Sequence, residues 1–233
     1  MLILVGIVAV FSVISYLAWK YERERTEAIG VLAVQLGWRF YGKEKNRDFS
    51  DERPQFECFQ RGNDRFAYNC LVGKLSAFDR ELRAEAGDYH YEVTSGSGKE
   101  RHTTTYQFSY LLVDLPFGPR LPSLVVRPEG LFDKLAGVIG FEDIDFESAE
   151  FSKRYHVSSS DRRFTYNLID PRMIEFLLDV GPPRIELSRG TLLIVADQAR
   201  TRWAPEDFAG AVEWTNDFLA RWPAFLVKDL SAS

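Results

Sequence analysis

Three histidines, His90, His102 and His156, are all the imidazoles in 233 residues. Histidine-assisted nucleophilic chemistry or histidine-based metal chemistry has to be built around them. A Ser or Cys nucleophile needs a base beside it and a third group to orient that base. The sequence has no Gly-x-Ser-x-Gly elbow. His90 and His102 fall in Tyr89-His90-Tyr91 and His102-Thr103-Thr104-Thr105-Tyr106. Pairing of these stretches either brings the two imidazoles face to face or leaves them on a solvated strand face.

Other polar clusters carry similar alternatives. Ser95-Gly96-Ser97-Gly98-Lys99-Glu100 has the outline of a phosphate loop. Val93 stands where that motif needs Gly, and Glu100 where it needs Ser or Thr. A strand follows where a helix is required, so the segment reads as a hairpin tip. Phe141-Glu142-Asp143-Ile144-Asp145-Phe146-Glu147 puts Asp143 and Asp145 on one side of a strand. Such a pair can hold a divalent cation or do acid/base work; equally, it is the wet face of a strand that turns Ile144 and Phe146 inward. In Ser158-Ser159-Ser160-Asp161-Arg162-Arg163, turn amides with Arg162 and Arg163 make a candidate anion contact. A polar turn between strands accounts for the same residues. Catalytic, cofactor and metal roles are assigned to no residue.

Composition narrows the classes. The chain is 45% hydrophobic and 27% charged, with a net charge of -5. These values exclude a disordered tail, a collagen-like repeat and a polytopic membrane protein. The acidic balance argues against nucleic acid as a partner. Two cysteines exclude a disulfide-built scaffold. Cys58 and Cys70 are expected on neighbouring strands, as two small buried thiols or as a disulfide across the hairpin.

The elements that would position these groups begin with an apolar run. Leu2 to Trp19 carries no charge, and its only hydroxyls before Tyr16 are Ser12 and Ser15. Eighteen helical residues span about 27 Å, close to a hydrocarbon core of roughly 30 Å. Tyr16, Trp19, Lys20 and Tyr21 are the expected membrane-interface residues. The end of the run is too bulky for a signal-peptidase site. Lys20, Arg23 and Arg25 follow it, whereas no basic side chain precedes it. The expectation is a single-pass helix in the cytoplasmic membrane, contacting the bilayer through residues 2–19, with the body facing the cytoplasm.

The pattern then divides the chain into residues 1–20 (transmembrane helix), 21–37 (juxtamembrane helix or linker) and 38–233 (α+β domain). A further boundary within the domain is placeable near 121–127. Thr26 to Leu36 has helical spacing, either as a separate helix or as a continuation of the first, and Gly37 suits its end. Strands are expected at Trp38–Tyr41, Gln55–Gln60 and Arg65–Val72, the last two joined in a hairpin around Gly62-Asn63-Asp64. Further strands are read at Lys74–Phe78, Tyr89–Thr94, Thr103–Asp114, Ser123–Val126, Tyr155–Ser158, Phe164–Leu168, Arg184–Leu187 and Thr191–Ala196. Helices are expected at Glu129–Val138, at Pro171–Val180 with Asp170 as cap, and from about Pro205 to Trp222, stopped by Pro223. The fold class is therefore α+β: a mainly antiparallel sheet with three or four packed helices behind one transmembrane helix. Trp203, Trp214 and Trp222 gather at the last helix. Trp214 lies off its main stripe, either packed within the domain or on a second contact surface.

Several short motifs carry a resemblance. They are Leu32-Ala33 with Leu36-Gly37-Trp38, the Asn69–Gly73 strand end, Ala77-Phe78-Asp79, Val126-Arg127-Pro128-Glu129, Asp143-Ile144-Asp145-Phe146, Glu150-Phe151-Ser152 with Tyr155 and Val157, and Asp170-Pro171. In these the chain resembles a family of uncharacterised bacterial proteins that pair a single N-terminal membrane anchor with an α+β domain of unknown function. The resemblance implies that layout and supplies no activity. The expected role is a membrane-anchored protein-interaction or accessory module of an envelope or membrane complex, with a protein partner at the membrane. The alternative is a small-ligand or lipid sensor with a pocket between sheet and helices. A hydrolase of unfamiliar type would need ionisable groups converging on His90 or His102.

Overall fold

The computed structural model describes residues 2–42, 47–129, 142–181, 184–196 and 201–232, with side chains from residue 9 onward apart from Lys99. The Glu129–Val138 helix expected from the sequence lies almost wholly outside the described residues.

A single helix, α1 (Leu2–Leu36), takes up both the apolar run and the segment after it. No break separates the two. Gly37 ends it at φ 69, a conformation that glycine reaches without strain. β1 (Arg39–Tyr41), the short helix α2 (Phe49–Glu52) and a 3₁₀ turn (Glu57–Phe59) follow. Two long strands come next, β2 (Asn63–Ala77) and β3 (Arg80–Ser95), then β4 (His102–Asp114) and β5 (Leu124–Pro128). The C-terminal part holds β6 (Glu142–Asp143), α3 (Ala149–Arg154), β7 (Tyr155–Ser159), α4 (Arg162–Leu168) and α5 (Pro171–Val180). It closes with β8 (Arg184–Ser188), β9 (Thr191–Val195), α6 (Pro205–Ala220) and α7 (Ala224–Ala232).

Among the described residues the strands form one nine-stranded sheet in the order β1-β2-β3-β4-β9-β8-β5-β7-β6. Every neighbouring pair is antiparallel. The expected mainly antiparallel α+β architecture is therefore present; among the described residues six helices accompany α1, where three or four were expected.

Strand alternation sends side chains to two different covers. One face carries Leu71, Leu111, Ile185, Ile194 and Val126 beneath α1, α5 and α6, in the larger core. The other carries Tyr89, Phe108, Tyr110 and Leu193 beneath Phe49, Phe56 and Phe59, in the smaller one. Asp48 secures that second cover. Its carboxylate accepts from the Ser50 backbone N–H at 2.9 Å and from the Tyr89 hydroxyl at 3.0 Å. Burial opposes its ionised form, but these donors and Arg65 outweigh it and hold the carboxyl below its ordinary value.

Five expectations change. Glu57–Phe59 is a 3₁₀ turn that buries Cys58 and Phe59, so Gln55–Gln60 is not a strand and Gly62-Asn63-Asp64 does not turn a hairpin. The hairpin after β2 turns instead at Phe78 and Asp79, with φ 55 and 56. Cys58 and Cys70 are both free and buried, so the disulfide is excluded and the two-thiol reading stands. Burial pushes the Cys58 thiol well above its usual range. Phe164–Leu168 belongs to helix α4, capped by the Asp161 carboxylate on the Phe164 N–H at 2.9 Å. Pro223 precedes a further helix, α7, whose Leu226 and Leu230 are buried.

α1 meets the sheet through close packing at its C-terminal end. A Cβ built on Gly73 of β2 would lie 2.2 Å from the Trp38 ring. Gly73→Ala must therefore displace a buried indole. It is expected to cost about 1–3 kcal/mol, read as a lower midpoint in chemical denaturation.

Candidate functional site

The described part of α1 is bare along residues 10–19. Val10, Phe11, Val13, Ile14 and Leu17 are 56–65% exposed, which puts apolar surface on every side of the helix. Tyr16, Trp19 and Tyr21 are exposed as well. The Tyr16 and Trp19 ring centroids stand 6.0 Å apart, and the Arg23 guanidinium lies 5.7 Å from the Trp19 ring. Lys20 pairs with Glu24 at 3.6 Å and Arg23 with Glu27 at 2.8 Å. The four expected interface residues thus sit together where the apolar run becomes charged. Among the described residues no helix is long and apolar enough to cross a membrane. The side chains of residues 2–8, part of the run read as a span, are outside that description.

One turn further on, α1 enters the domain through a buried ion pair. Arg25 is 4% exposed and Asp88 on β3 is 0% exposed. The guanidinium donates to both carboxylate oxygens, at 2.6 and 2.9 Å. Asn69 Nδ2 donates to the same carboxylate at 3.0 Å and Ser109 Oγ at 2.7 Å. Four donors therefore meet the four lone-pair sites of one carboxylate. Arg25 also donates to the Trp203 carbonyl, at 2.7 Å from Nη2 and 3.1 Å from Nε. The Trp203 N–H returns to Ser109 Oγ at 2.8 Å. This closes a ring of contacts across α1, β3, β4 and the segment before α6.

A second pair supports it from the solvent side. Arg202 donates to both oxygens of Glu22, one of them at 2.8 Å. That hydrogen bond raises the Arg202 pKa against the effect of its burial. Burial, and then the charge on Asp88, push the nearby Tyr68 phenol above its ordinary value. Sequence reading missed Arg25, Asp88 and Arg202 as a group. The available signal was a charged residue, Arg25, among Ile29, Leu32 and Ala33 on the face of α1 that packs inward.

Next to the junction lies a cavity of about 830 Å³. Ile194, Ala196 and Tyr155 from the sheet and Trp203, Ala211 and Trp214 from the α6 side line it. Lys153, Glu206 and Asp207 add charge to its lining. Trp203 belongs to both features: its backbone holds Arg25, and its ring packs edge-on against Phe208 at 5.3 Å and lines the cavity.

The expected polar candidates separate. His90 pairs with Gln107 and His102 with Ser95, so the two imidazoles do not face each other. Asp143 lies on β6, 3.1 Å from His156 Nε2. Ile144 is buried, and Phe146 packs on Phe151 and Tyr166. No metal-type cluster forms around Asp143 and Asp145 among the described residues. Arg162 and Arg163 open α4 and are exposed. Arg162 reaches Tyr166 at 3.4 Å and Glu142 at 3.8 Å. Trp214 is buried, stacked on Phe218 at 5.2 Å and on Phe176 at 5.6 Å. Packing within the domain is therefore its role, with one side left to the cavity.

The domain has a counterpart among solved structures. Its fold is similar to that of the mycobacterial trehalose monomycolate transport factor A, TtfA. The likeness covers 86% of this chain and 97% of that one, with a TM-score of 0.57 and 13% sequence identity. At that identity it establishes the fold alone. No protein-family model and no curated protein matches the chain.

Proposed function

We propose that the chain is a single-pass, membrane-anchored accessory module serving an envelope-lipid transport assembly, with its body on the cytoplasmic side. The observation that carries this reading is the continuity of α1. The same helix that is apolar on every side over residues 10–19 is pinned into the sheet at Arg25. Six residues separate Trp19 from Arg25, or about 9 Å of helix. A body held that close to the headgroups is confined to a thin layer, which raises its effective concentration toward membrane partners. The fold shared with a trehalose monomycolate transport factor supports the choice of assembly. The resemblance to the uncharacterised bacterial family implies the same anchor-plus-domain layout.

The test is fractionation of cells with alkaline extraction, together with a reporter fused after Ser233 that is active only outside the cytoplasm. The full-length chain is expected in the membrane pellet with a silent reporter. Val10→Arg with Ile14→Arg adds about 2.5–3.5 kcal/mol per charge at the core of the span and is expected to move the chain to the soluble fraction. Wild-type protein in the soluble fraction, or a strongly active reporter, would sink the reading. Crosslinking in native membranes is expected to recover a reproducible membrane-protein partner, and a clean negative at native abundance counts against the accessory role.

One observation favours a second reading, a lipid- or small-ligand-sensing domain. The cavity beside the junction is large enough for a small amphiphile and is lined by Tyr155, Trp203 and Trp214. Quenching of tryptophan fluorescence by a brominated single-chain lipid would support it, and the absence of quenching at saturating lipid would remove it.

A further inference from the structure

We infer that Asp64, His90 and Glu92 form a binding site for one divalent transition-metal ion on the helix-side face of the β2–β3 pair. Their ligand atoms all lie within 4.8 Å of one another. His90 Nε2 is 3.7 Å from an Asp64 carboxylate oxygen and 3.9 Å from a Glu92 oxygen. Donors bound to one such ion at about 2.1 Å lie roughly 3.0–3.4 Å apart. The histidine-to-carboxylate spacings therefore need to close by only several tenths of an ångström, and the two carboxylates have the freedom to move. The imidazole does not need to move. His90 is 12% exposed, and its ring is stacked on Phe66, its partner across β2, at 4.4 Å and 20°.

The backbone explains why three donors converge on an otherwise alternating pair of strands. His90 and Glu92 are two residues apart on β3 and so share a face. Asp64 reaches them because the β2–β3 register shifts between Asn63 and Phe66, with Asp64 itself at φ 47. The shift turns an additional carboxylate toward that face. One neutral imidazole with two carboxylates carries a charge of -2, matched to a doubly charged cation. A nitrogen with two oxygens suits zinc or manganese better than calcium, which prefers oxygen alone. Three protein donors leave coordination positions for water or for a group on a partner.

The site lies close to the anchor. Asp88, His90 and Glu92 follow one another along β3, so His90 is about 7 Å beyond the Arg25 contact. A bound ion would tie the start of β2 to β3 next to the point where α1 leaves the domain.

The experiment is calorimetric titration of the chelator-treated, full-length chain in detergent with zinc chloride and with manganese chloride. One ion per chain is expected, with affinity falling as pH drops through the imidazole range, because the proton competes for the same nitrogen. Asp64→Asn combined with Glu92→Gln keeps side-chain shape and is expected to weaken binding at least tenfold. It should leave the metal-free unfolding temperature within a few degrees of wild type. His156→Gln removes the other histidine–carboxylate contact and is expected to change nothing. No binding by the wild type overturns the assignment. So does undiminished binding in the double variant, or loss of binding in His156→Gln.

Discussion

Asp88→Ala is expected to destabilise the domain by about 3–5 kcal/mol, the usual result of removing one partner from a buried ion pair. The carboxylate is met by Arg25, Asn69 and Ser109. Its loss strands a guanidinium at 4% exposure, together with two polar side chains. Chemical denaturation of the variant against wild type in the same detergent measures the effect. Replacing both partners at once separates the cost of an orphaned charge from the worth of the pair. Arg25→Met with Asp88→Leu fills similar volume without charge and is expected to recover most of the loss. A single variant within 1 kcal/mol of wild type would show that α1 is not pinned as described.

Trp222→Ala is expected to cost about 3–5 kcal/mol. The indole sits at the meeting point of the β2–β3 turn, the loop after β4, α4 and α6. It lies 5.5 Å from Phe78, 5.8 Å from Phe117, 6.2 Å from Phe218 and 6.3 Å from Phe164. Its Nε1–H is buried with no acceptor among the described residues. That donor is lost at no cost in Trp222→Phe, so the conservative variant is expected to lose much less than the alanine variant. Equal losses in both would mean that the volume contributes little. The same ring has a second task. Phe78 adopts a left-handed conformation at φ 55, which costs an ordinary residue about 1–2 kcal/mol. Its contacts with Trp222 and Phe117 offset that cost.

Much of the sheet was legible because its strands alternate cleanly. β4, β7, β8 and β9 fall within a few residues of their expected places, and Asp170-Pro171 located α5 to the residue. The errors have identifiable causes. Phe164, Tyr166 and Leu168 satisfy a period of two, while Phe164 and Leu168 also satisfy i, i+4; the Asp161 cap decides for helix. Phe78-Asp79 lacks the Asn-Gly chemistry of a two-residue turn, so the glycine at Gly62 offers the stronger local turn signal. Pro223 has the signature of a helix stop, though a proline before Ala224 suits a helix start equally well. The junction was illegible for a different reason. Arg25, Asp88 and Trp203 are 63 and 178 residues apart in their pairings, and no local pattern reports on contacts at that separation. The Asp64–His90–Glu92 group was hidden by a register shift, which no periodicity reveals.

Because α1 runs from the apolar run into the sheet as one uninterrupted rod, a body anchored as proposed would not swing beneath the bilayer like a float on a string. It would turn only as the rod turns. A partner that grips one face of the rod within the membrane would therefore meet the same side of the sheet on every encounter, with orientation settled before contact. Lengthening the rod by two residues would rotate the whole lobe by roughly 200°. Adding seven would restore its original heading at a greater height.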